Sequence, residues 1–160
     1  MIDFNDFIEK VEKNKISIVR IWISSPDIIK IIDTYLIDKD LLIKRYAFGV
    51  IENYIHLVKK DEKVGNCPIV MDFIKYLKKL NLKYQEFFLL FSNFKKALVE
   101  FAVTLNFGTI SLIQKIEYYF ERNFSDLLDI YSKSIAQIES ALNKSIDIVD
   151  KYVIMSRTDL

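Results

Sequence analysis

Residues 84–105 read YQEFFLLFSNFKKALVEFAVTL, and the apolar side chains return every three or four positions: Phe87, Phe88, Phe91, Phe94, Leu98, Phe101 and Leu105. That recurrence is the stripe of an amphipathic helix and not the alternation of a strand. The stretch stops at Asn106-Phe107-Gly108-Thr109, where a helix breaker is followed by a new cap. A stripe this aromatic needs other helices to cover it, so the neighbouring segments decide the architecture.

Upstream, the same spacing holds. Phe4, Phe7, Ile8, Val11, Ile18 and Trp22 predict one helix over roughly 3–23. Ser24-Ser25-Pro26-Asp27 is a helix start, with a serine cap, proline at the first helical position and an acid at the positive end. Ile28, Ile29, Ile31, Ile32, Tyr35 and Leu36 follow as a short helix that is apolar on most sides. Asp38 caps a third helix over 39–60, with Leu42, Tyr46, Gly49, Val50, Asn53 and Leu57 along one stripe. Lys59 to Gly65 reads as a loop, Asn66-Cys67-Pro68 restarts a helix carrying Ile69, Val70, Phe73, Ile74 and Leu77, and Asn81 breaks it. The expected fold is an all-α bundle of five to six helices that ends in a long C-terminal helix.

Composition agrees with this and narrows function. A chain of 160 residues is one domain's worth, and 51% apolar residues suffice for a core. A net charge of +1 lacks the basic footprint of a nucleic-acid binder. One Cys cannot close an internal disulfide, and one His cannot build a multi-histidine metal site. Three Gly and two Pro are too few for a glycine-rich phosphate loop. The N-terminal residues Met1 to Phe7 lack a basic, then apolar, leader, and no charge-free run approaches the ~20 apolar residues of a membrane span. The chain therefore reads as cytoplasmic, with no membrane span.

From Leu128 a heptad register sets in: Leu128, Tyr131, Ile135, Ile138, Leu142, Ser145, Val149 and Tyr152, in steps of 3 and 4. Such a seam predicts a coiled-coil helix over 124–152 that pairs two copies of the chain. The competing reading is a long helix packed on its own domain. The register stops at Tyr152. Val153-Ile154-Met155 followed by Ser156-Arg157-Thr158-Asp159-Leu160 reads as a strand entering a turn, so 153–160 is expected to open a further domain.

The segment Val153 to Leu160 resembles the opening strand of a PAS domain, as found in bacterial sensor kinases and diguanylate cyclases. Residues 1–123 resemble the helical input modules that precede PAS and GGDEF regions. More distantly, they resemble the haem-free globin-like N-terminal domains of stressosome sensors of the RsbR type. Gly65-Asn66-Cys67-Pro68, the Phe87–Phe101 helix with Lys95-Lys96, and the exiting helix carry that resemblance. It implies a globin-like sensory core, a downstream PAS and output domain in the same chain, and a homodimer.

Candidate chemistry is sparse. His56 is the one histidine; it shares a helix with Asn53 and Lys60 and would serve as a haem ligand only in a haem-based gas or redox sensor. Cys67 is a cap-position or buried thiol, or else a redox-sensing thiolate at a helix N-terminus. The stripe Phe87, Phe88, Phe91, Phe94 and Phe101 lines either a core or a pocket for a small apolar ligand. Glu117 and Glu121 lie one turn apart without a histidine in sequence reach, and Ser24-Ser25 has no nearby base. Lys78-Lys79 and Lys95-Lys96 read as solvated faces. The expectation is a non-catalytic sensory module with no cofactor. The alternative is a dimerisation or docking scaffold without a ligand.

Overall fold

The computed structural model describes the backbone of residues 3–158 and the side chains of residues 3–147. Among the described residues there are eight helices and no strand. They are α1 (Phe4–Lys13), α2 (Lys15–Ile23), α3 (Pro26–Tyr35), α4 (39–60), α5 (Pro68–Lys79), α6 (Tyr84–Thr104), α7 (Ile110–Tyr131) and α8 (Ile135–Thr158). Helix α4 is continuous but contains a wider π segment at Leu42–Tyr46. A 3₁₀ turn at Val64–Asn66 leads into α5.

The caps explain where the helices begin. Asp3 and Asp6 exchange hydrogen bonds across the first turn of α1. Asp38 accepts from the Leu41 amide, and Thr109 from the Leu112 amide at 3.2 Å. The helix ends use left-handed residues other than glycine: Leu36, Asp61, Asn81 and Asn106 all have φ between 52 and 60°. The stop expected around Asn106 to Gly108 therefore falls on Asn106.

Helix α6 is the centre of the bundle. Helices α2 and α3 lie against it on one side and α7 on another, while α4 and α5 contact α7. Trp22 is fully buried and donates its Nε1–H to the Leu90 carbonyl at 2.8 Å, tying α2 to α6. Tyr54, also fully buried, donates to the Ile116 carbonyl at 2.9 Å, tying α4 to α7. Helices α4 and α5 approach closely at Gly49, where a Cβ would lie 2.5 Å from Cγ2 of Ile69.

Three expectations are corrected. The helix over 3–23 is broken at Asn14, whose side-chain amide donates back to the Lys10 carbonyl at 2.8 Å and whose backbone leaves helical geometry. The helix over 124–152 is broken at 132–134. Residues 153–158 continue α8 as helical backbone and are not the expected strand, and the last two residues of that expected strand and turn, 159 and 160, lie outside the described residues. The described residues thus hold eight helices where five to six are expected.

Candidate functional site

The heptad run spans the junction between α7 and α8, so this is where the site is built. Tyr131 ends α7 and is 2% exposed. Its hydroxyl donates to the Leu82 carbonyl in the α5–α6 connection, and its ring stacks on Phe87 with centroids 4.1 Å apart. Lys78 of α5 donates to the Tyr131 carbonyl at 2.9 Å and sits 4.9 Å from the centre of the ring. Burial, then the nearby Tyr84, Tyr35 and Glu86, pushes the Tyr131 hydroxyl up to about 12.

The chain then turns within three residues. The Ser132 amide still bonds to the Leu128 carbonyl, the last α-helical bond, and the Lys133 amide closes a tighter turn on the Ile130 carbonyl. Ser134 restarts the helical pattern as one half of a capping box. The Gln137 amide donates to Ser134 Oγ at 3.2 Å, and the Ser134 amide donates to Gln137 Oε1 at 3.0 Å. The pattern Ser134-Ile135-Ala136-Gln137 was available in the sequence as the marker of this break.

Helix α8 packs on α5 and on the 3₁₀ turn before it. Glu139 meets Lys75 at 3.6 Å near the end of α5, and the turn lies beyond its start, so the two helices run antiparallel. Ile138 and Leu142 are buried in the shared core, and Ile135 is half-buried. Ser145 is 5% exposed, and its Oγ has no hydrogen-bond partner among the described residues. Val149 and Tyr152 lie outside the described side chains. The structure thus brings Tyr131, Ile138, Leu142 and Ser145 into the chain's own interior, and it divides the heptad run between two helices.

Leu128 goes elsewhere. It is 37% exposed at the edge of a groove between α6 and α7 of about 430 Å³, lined by Phe88, Lys95, Glu117, Phe120, Phe124 and itself. Phe88 is 51% exposed and stands edge-on to Phe124, whereas Phe87, Phe91, Phe94 and Phe101 are buried. Most of the aromatic stripe is therefore core, and Phe88 is its outward member.

The other candidates do not gather. His56 is nearly half exposed, with Nδ1 3.3 Å from Glu62 Oε2, and it lines none of the described clefts. Asn53 is buried and accepts from Asn123 at 2.7 Å, while Tyr46 donates to Asp72 at 2.8 Å; neither partners His56. Burial pushes the Cys67 thiol up, outweighing the amides of Val70 and Ile69, so the helix start does not make it a ready thiolate. Glu117 pairs with Lys95 at 4.0 Å, and no group of three metal-ligating side chains occurs among the described residues. Ser24 donates to the Arg20 carbonyl and Ser25 to Asn93 Oδ1, in a cleft of about 610 Å³ flanked by Arg20, Asp27, Lys96 and Glu100. None of the described helices is long and apolar enough to cross a membrane. Compared with protein-family models, curated proteins and solved structures, the chain matches none.

Proposed function

We propose that this chain is a non-catalytic sensory or regulatory input module of a bacterial signalling protein. In this reading it acts in the cytoplasm as a homodimer, needs no cofactor, and hands a change of packing through α8 to a domain that follows. The resemblance to globin-like and PAS-preceding helical modules supports the same reading, with the input core over 1–123.

One observation carries it. Helix α8 is a separate element behind a short break, and its inward face carries a buried hydroxyl, Ser145, with no partner among the described residues. Leaving such a group unpaired costs about 1–3 kcal/mol. The seat of α8 is therefore weaker than an all-apolar face would make it. A ligand or partner that shifts the balance by ~1.4 kcal/mol changes the ratio of docked to released α8 tenfold. Tyr131, clamped by Lys78 and Phe87, holds the near end still while that happens.

Hydrogen exchange along α8 tests the proposal. Its amides should open well below the global unfolding free energy, more slowly in Ser145→Ala and faster in Ile138→Asp. Exchange of α8 only through global unfolding in all three proteins would remove the output element.

The groove at Phe88, Phe124 and Leu128 favours a second reading, a docking scaffold without a ligand. A sensor raises its melting temperature with some small apolar molecule, whereas a scaffold does so only with a partner protein.

A further inference from the structure

We infer that the seat of α8 on α5 is also an interface between two copies of this chain, formed when each chain delivers its α8 to the α5 of the other. This rests on reading α8 as a detachable element, and it adds what that element binds.

Three observations lead there. First, the break is narrow. Helical hydrogen bonding runs through Ser132, resumes at the Ile138 amide bonding to the Ser134 carbonyl, and includes neither glycine nor proline. Rotation at one or two residues joins α7 and α8 into a single helix. Second, the apolar steps Leu128, Tyr131, Ile135 and Ile138 keep their 3–4 spacing across the break, so the joined helix is in phase as well as continuous. Third, the principal neighbours of α8 are α5 and the turn before it, and not the helix that it follows.

A straightened α8 points away from its own α5. Every contact that seats it, including the Lys75–Glu139 pair and the burial of Ile138 and Leu142, is reproduced on the α5 of a second copy. Reciprocal exchange fills both seats and closes a two-fold dimer with no new surface required. Hinge length then decides the outcome. Three residues force a sharp reversal in the monomer, whereas a longer connection lets α8 return to its own chain.

The test uses the full chain in a Cys67→Ser background and reads mass by sedimentation. Replacing both hinge serines, Ser132→Ala with Ser134→Ala, removes the cap and favours helix, and should tighten dimerisation at least tenfold. Inserting three glycines after Lys133 should give monomer. Equal masses for the parent and both variants would overturn the exchange.

Cross-linking identifies the surface. Lys75→Cys chains and Glu139→Cys chains are refolded together and treated with a short bismaleimide; exchange yields a product of twice the chain mass. If only a chain carrying both cysteines cross-links, within itself, α8 sits on its own α5: the exchange fails while the docked element stands. Absence of both products removes the seat and the regulatory reading with it. A dimer that forms without the mixed product uses another surface and also overturns the exchange.

Discussion

Lys78 holds Tyr131 in two ways at once: its ammonium donates to the Tyr131 carbonyl at 2.9 Å and lies 4.9 Å from the centre of the same residue's ring. The carbonyl belongs to the last turn of α7, where backbone acceptors have no helical partner and the dipole is negative. A cation there satisfies the orphan acceptor, the dipole and the ring together. Replacing Lys78 with Met keeps the aliphatic stem and removes the charge. Chemical denaturation of Lys78→Met should show a loss of about 1–2 kcal/mol, with α8 exchanging faster because the turn into it has lost its anchor.

Tyr131 also gives the chain an alkaline limit. Below pH 10 its hydroxyl keeps its proton whether the chain is folded or not, and stability does not depend on it. Between pH 10 and about 12 the unfolded residue ionises while the folded one, bonded to the Leu82 carbonyl, does not. Stability therefore falls as pH rises through that window, by on the order of 2 kcal/mol from this residue. Tyr46 and Tyr54 are shifted upward too, chiefly by burial, and add to the fall. Tyr131→Phe should be less stable at pH 7 by about 1 kcal/mol yet lose less between pH 10 and 12. A fall as steep as in the parent protein would mean that Tyr131 does not titrate as its burial requires.

The buried pair Asn53 and Asn123 couples α4 to α7 through one hydrogen bond of 2.7 Å, with both residues 2% exposed. Both amides are shielded from bulk solvent. Asn123→Ala should cost about 2–3 kcal/mol, because it opens a cavity and leaves the Asn53 oxygen without its donor. The double variant with Asn53→Ala should cost less than the sum of the two, with a coupling of about 1 kcal/mol. Simple additivity in urea denaturation would show that the bond contributes nothing beyond packing.

What the sequence discloses and what it hides divide along the range of the interactions. The stripe of α6, the long α4 and the proline start of α5 are local patterns, and the structure has them. Asn14 was hidden because Lys13-Asn14-Lys15 fits the polar side of a helix that stays in phase from Val11 to Ile18; the break comes from one amide turning back on Lys10. The break before Ser134 was masked by a heptad spacing that runs through it, although its capping box was in plain view. Tyr131 sits on the heptad spacing, but the partners that hold it inside its own chain, Lys78 and Leu82, lie 53 and 49 residues away. No local spacing reports such a meeting. The same holds for Asn53 and Asn123, and for the exposure of Phe88 beside the buried Phe87.

The two glycines Gly49 and Gly65 should respond oppositely to alanine. At Gly65 a Cβ meets nothing within 4 Å, and the backbone is not left-handed. Gly65→Ala should therefore be neutral or stabilising by about 0.4–1 kcal/mol, through the lowered entropy of the unfolded chain. Gly49 lies within α4, where alanine's helix propensity alone would favour the change by about 1 kcal/mol. Packing opposes it: the new Cβ would come within 2.5 Å of Ile69 Cγ2 and 3.3 Å of Ile69 Cβ. Ile69 is β-branched and sits in the first turn of α5, so it has no other favoured rotamer to retreat to. Overpacking of this kind costs about 1–3 kcal/mol, which exceeds the gain in propensity. Gly49→Ala should thus lower the melting temperature, and adding Ile69→Ala should recover part of the loss by making room. A Gly49→Ala protein as stable as its parent would mean that α4 and α5 lie farther apart than the Ile69 contact requires.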